Sequence, residues 1–140
     1  MESMTKPRRI AGWLCRAAAA VILLQTLFFK FTGAPESVYI FTKVGLEPWG
    51  RYGTGVVELI AALLLLVRCQ AWLGALLALG VMGGAIVSHL TVLGVVVQDD
   101  GGLLFALALT VAACSAVTLF LYRQDIPFLH ARFKSGSTQA

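Results

Sequence analysis

The chain has 140 residues, of which 59% are hydrophobic and only 13% charged, with a mean hydropathy of +0.84. A water-soluble domain holds about 45–50% apolar and about 25% charged residues, so this composition excludes an ordinary soluble fold and indicates a bilayer protein of one domain. The net charge of +4 does not indicate nucleic acid, because the bases gather at the two ends of the chain and flank apolar stretches instead of lining one face.

Met1 to Arg9 is polar and carries Lys6, Arg8 and Arg9. The apolar stretch 10–31 that follows is broken only by Arg16 near its start. A cleaved signal peptide is the rival reading, but Pro35 stands just after the small residues Gly33-Ala34 and suits cleavage poorly. The stretch therefore reads as a retained first span, with Arg16 snorkelling to the inner interface. Gly33-Ala34-Pro35 ends it, since proline disfavours helical geometry in the residue before it. Residues 36–44 place Val38, Ile40, Phe41 and Val44 at helical spacing, and the segment is too short to span. This predicts a short amphipathic helix in the first outer loop.

The second span is expected over about 51–67 and the third over about 71–97, joined by the tight turn Arg68-Cys69-Gln70. Gly80-x-x-x-Gly84-x-x-x-Ser88 puts small residues on one face of the third, as close helix packing in lipid requires. Packing inside the bundle is the expected use of that stripe, and a homodimer seam is the alternative. After Gln98-Asp99-Asp100-Gly101-Gly102, where either aspartate can cap a helix, the fourth span covers about 103–122. A basic tail, 123–140, closes the chain with a disordered Ser/Gly/Thr end. Lys6, Arg8, Arg9, Arg16, Arg68, Arg123, Arg132 and Lys134 all fall on one side of this layout, so the positive-inside rule predicts cytoplasmic termini. The fold class is an all-α, integral membrane four-helix bundle.

Three ionisable groups fall within the outer half of the spans. With a rise of about 1.5 Å per residue, Glu58 lies roughly 10 Å below the outer mouth, His89 roughly 12 Å and Lys30 roughly 3 Å. A charge in hydrocarbon costs about 2.5–3.5 kcal/mol on insertion scales, so these groups are expected to turn inward, joined by Gln25 and Thr26. For Lys30 and Glu58 the structural alternative is a buried ion pair that sets helix register. For His89 it is a neutral ring bonded to backbone, and a haem there would lack a second intramembrane histidine. Cys15, Cys69 and Cys114 are widely spaced along the chain, with no Cys-x-x-Cys and no nearby histidine pair, so no zinc or dithiol site and no metal is expected.

The run Phe28-Phe29-Lys30, the sequence Phe29-Lys30-Phe31-Thr32-Gly33-Ala34-Pro35-Glu36-Ser37-Val38-Tyr39, and Gly45-Leu46-x-Pro48 lead into a helix carrying Glu58 and a leucine run. Together with Glu47-Pro48-Trp49-Gly50-Arg51, this pattern resembles the DoxX family over roughly residues 10–122. Glu47 interrupts the usual Gly-Leu-Pro, and Ala61-Ala62 stands where glycines often follow the glutamate. The resemblance implies a small four-helix protein of the bacterial inner membrane, with Lys30 and Glu58 at recurring polar positions. It also implies a place in quinone-linked redox complexes, with quinone as the ligand class and redox-complex subunits as partners. Two other classes compete: a proton-coupled transporter using Glu58, and a structural or assembly protein without a ligand. Small multidrug exporters also have one membrane glutamate, but in the first helix, which disfavours the transporter.

Overall fold

The computed structural model describes residues 4–129, and Arg132, Lys134 and the Ser/Gly/Thr end expected to be disordered lie outside them. The first helix, α1 (Lys6–Thr32), stops because Gly33 takes a left-handed backbone, φ 70°, that a side chain would resist. The N–H of Ala34 then closes on the Phe29 carbonyl at 3.0 Å, and Pro35 opens α2 (Pro35–Val44) in the first-turn position where its missing N–H costs nothing. Gly45, φ 85°, ends α2 in the same way, with the Leu46 N–H returning to the Phe41 carbonyl at 2.8 Å. A cis Glu47–Pro48 peptide leads into α3 (Trp49–Leu66).

A 3-10 turn, Arg68–Gln70, reverses the chain into α4 (Ala71–Ser88), which widens into a π-helical turn over His89–Leu93. The third span thus ends at Leu93 and not near Val97, because Gly94 leaves the helical region at φ 80°, ψ 169°. In the loop that follows, the Asp100 carboxylate accepts N–H groups from Val97, Gly102 and Leu104 at 3.0, 2.8 and 3.1 Å. Burial alone would raise its pKa, but the bonds from Gly102, Val97 and Leu104, with the charge of His89, hold the group below its ordinary value of 3.8. Of the two expected caps, Asp100 does the work and Asp99 sits in a left-handed turn, φ 61°. The last long helix, α5 (Leu103–Leu121), runs into a 3-10 turn at Arg123–Asp125.

α1, α3, α4 and the segment through Leu93, and α5 supply four helices long and apolar enough to cross a membrane. α1 packs on α3 and α5, and both of those pack on α4, so the four close into a ring in the order α1–α3–α4–α5. The half toward the Arg68–Gln70 turn is packed largely with alanine: Ala19, Ala20 and Leu23 meet Ala61, Ala62 and Leu65, with Ala75, Ala78 and Met82 completing the seam. Gly74 permits this approach, since an added Cβ would sit 2.7 Å from the Leu65 nitrogen and 2.8 Å from the Ala61 oxygen. Large apolar side chains such as Val21, Phe28, Leu63, Val87 and Phe120 point outward, as a lipid-facing surface requires.

Two expectations about packing are corrected. Arg16 does not snorkel outward; it is 6% exposed, donating to the Leu65 carbonyl at 2.6 Å, the Leu66 carbonyl at 2.9 Å and the Tyr122 hydroxyl at 3.3 Å. It satisfies the last-turn carbonyls that α3 leaves without helical partners, and this outweighs the reach to water. The stripe Gly80, Gly84 and Ser88 does not seat a neighbouring helix either. A Cβ at Gly80 or Gly84 would have nothing within 4 Å, and all three residues line a cavity.

Candidate functional site

Thr26 and Lys30 are four residues apart, so they share one face of α1, and that face turns toward the middle of α3. The Lys30 ammonium donates to both oxygens of the Glu58 carboxylate at 2.9 Å each. The Thr26 hydroxyl lies 3.2 Å from Oε2 of Glu58 and 2.9 Å from the Leu23 carbonyl, so its single proton serves both acceptors. Glu58 is 1% exposed. The Lys30 side chain keeps 15% of its surface.

Arg51 holds this pair from above, and its role was not legible in the sequence. Its guanidinium donates to the Lys30 carbonyl, which the end of α1 leaves open, and forks onto Glu47, with Nε–Oε1 2.9 Å and Nη2–Oε1 2.8 Å. Tyr52 stacks beneath it at 4.4 Å. The four-residue spacing of Glu47 and Arg51 is the one sequence signal that could have suggested the ion pair, whereas the bond across to α1 has none. Glu47, a departure from the family pattern, is thus a working partner.

The pair lies on the wall of a cavity of about 510 Å³ in the half of the ring where α2 packs. Ser37, Ile40 and Phe41 of α2 contribute one side of it, and Leu104, Leu107 and Val111 of α5 another. Gln25 is on the same wall as Thr26 but makes no side-chain bond among the described residues. His89 reaches the cavity too, yet it does not join Glu58. Its Nδ1 is 2.9 Å from the Gly94 carbonyl, which can only accept, so that nitrogen carries the proton. The ring lies 5.5 Å from that of Phe105 and is 5% exposed. The expected cluster therefore divides into a Thr26–Lys30–Glu58 centre and a backbone-anchored His89, both facing one apolar space. Among the described residues no three His, Cys, Asp or Glu side chains come together as metal ligands. A ligand here meets the ammonium, carboxylate and hydroxyl of the Thr26–Lys30–Glu58 centre, and a mainly apolar wall in which Gln25, Ser37 and His89 are further polar groups.

A ring of four spans around such a chamber defines a small multi-pass membrane protein with an amphipathic internal cavity. The DoxX family model matches residues 12–98, most of the chain, and the protein belongs to the DoxX family. That match begins within α1, runs past the π-helical turn and stops before α5. No curated protein and no solved structure matches the chain.

Proposed function

We propose that this protein holds the polar head of a lipid-soluble molecule, of the quinone class, as a small membrane subunit of a redox complex in the bacterial inner membrane. Both termini face the cytoplasm in this reading, because Lys6, Arg8, Arg9, Arg16, Arg68 and Arg123 share one end. α2 then lies along the outer interface, with Glu36 and Lys43 exposed to water.

The observation that carries the proposal is the placement of the buried Lys30–Glu58 pair on the wall of the 510 Å³ cavity. Ligand chambers commonly measure about 300–1,000 Å³ and combine apolar walls with a few polar groups that set orientation. A quinone carbonyl accepts hydrogen bonds, and two acceptors leave an ammonium one N–H to spare. Glu58 places an opposite charge within hydrogen-bond distance of that ammonium. The bidentate pair also weighs against a transporter, since a cationic substrate would have to displace Lys30 from the carboxylate.

The test is purification from native membranes, lipid extraction and quinone analysis by mass spectrometry. Wild type is expected to retain quinone near one per chain, and Lys30→Met to lose it. Wild-type protein carrying no quinone under conditions that keep it folded rejects the proposal. Export driven by a proton gradient and abolished by Glu58→Gln would put the transporter in its place.

A further inference from the structure

A second cavity, of about 500 Å³, opens at the other end of the ring, away from the Lys30–Glu58 pair. The start of α1, the end of α3 and the end of α5 build it, through Lys6, Arg9, Trp13, Arg16, Arg68 and Tyr122 among others. Among the described residues, four of those that line it are cations and none is a carboxylate. Both ion pairs found among the described residues lie at the opposite end, Lys30–Glu58 and Arg51–Glu47.

Arg16 sharpens the imbalance. Its three hydrogen bonds go to two carbonyls and a phenol, which supply no negative charge and leave two of its five N–H groups over. Its Cζ sits 5.3 Å from the Tyr122 ring and 5.8 Å from that of Trp13. Trp13 is 56% exposed at the lip, the position of an interfacial aromatic. Ile10 and Leu66 line the same opening and are exposed along the spans, so an acyl chain leaving the cavity meets apolar surface at once.

We infer that this cavity binds a phosphate-bearing anion, and that its place at the ends of three spans makes the phosphodiester head of an acidic phospholipid the source. Guanidinium and ammonium groups around a recess supply the charge and the multiple donors that a phosphate oxygen cluster demands. The inference does not depend on what fills the larger cavity, and its test is blind to quinone.

The experiment uses the full chain in phosphatidylcholine vesicles, with Trp49→Phe and Trp72→Phe leaving Trp13 as the one reporter. Quenching of Trp13 by brominated phosphatidylglycerol is compared with quenching by brominated phosphatidylcholine. The acidic lipid is expected to win by at least about fivefold, the weight of one cation near an anionic head. Arg9→Gln with Arg68→Gln should bring the ratio close to one, and Arg68→Gln alone should lower it part of the way. Arg8→Gln with Arg123→Gln removes the same charge at the same end but outside the lining, and should leave the ratio unchanged. Equal losses from the two pairs would mean general surface attraction and overturn the site, as would a wild-type ratio of one. Millimolar inorganic phosphate that erases the preference would support the same phosphate chemistry with a soluble source; failure to erase it supports the lipid.

Discussion

At the scale of single residues, the central fact is that the two members of the Lys30–Glu58 pair are not equally replaceable. Lys30 stands near the end of α1 and keeps part of its surface, so without Glu58 its flexible stem can carry the ammonium toward the interface. Glu58 is in mid-helix and has no such route, with only the shared Thr26 hydroxyl left if the lysine goes. Breaking a buried pair from the side that strands a charge costs about 3–5 kcal/mol. Lys30→Met is therefore expected to lower the melting temperature in detergent well below that of Glu58→Gln. Adding Glu58→Met to Lys30→Met should restore most of the loss, since the stranded charge is then gone. Additive losses in the double variant would show that the two groups do not act as a pair.

At the scale of elements, glycines that look alike in sequence do different work. Gly74 is pressed against backbone atoms of α3 that cannot step aside, so Gly74→Ala is expected to cost about 1–3 kcal/mol through overpacking. Gly80 has open space where a Cβ would go, and Gly80→Ala should be neutral or gain up to about 1 kcal/mol of helix propensity. Thermal unfolding of the two variants side by side checks the contrast, and equal destabilisation would contradict the packing described. The loop before α5 carries a pH signature of its own. The folded pKa of Asp100 is depressed, so its contribution to stability is present above the unfolded value of 3.8 and is lost as pH falls through the lower folded value. Asp100→Asn should therefore lower the melting temperature at neutral pH. The gap to wild type should close once the pH is below the folded pKa; a gap that persists there would remove the carboxylate from the argument.

For the whole molecule, the ring is tight at one level and hollow at another. Alanines and Gly74 draw the helices together in the half toward the Arg68–Gln70 turn, while the half beside α2 surrounds the 510 Å³ chamber. Gly84 lies on the chamber wall with nothing near its missing Cβ, so a larger side chain there has room. Gly84→Leu is expected to leave the melting temperature unchanged or raise it while displacing bound quinone from the purified protein. Quinone retained at the wild-type level would mean that the ligand sits elsewhere.

The chain alone determined that there are four spans, roughly where they lie, and which family they form. Hydrocarbon about 30 Å thick demands long apolar helices, and Gly33, Pro35 and Gly45 mark where the first two helices end. It also showed that Lys30, Glu58 and His89 had to turn away from lipid, because desolvation leaves a charged or polar group little choice. Only the tertiary structure decided which partners they found. α4 and α5 are apolar all round, so their rotation about the ring is invisible to hydropathy, and with it the fate of the glycine stripe. The bonds that matter join Arg16 to Leu65, Lys30 to Glu58 and Arg51 to the Lys30 carbonyl across helices. A backbone carbonyl carries no mark in the sequence of being the one left open, and it is the closing of the ring that brings each cation to its acceptor.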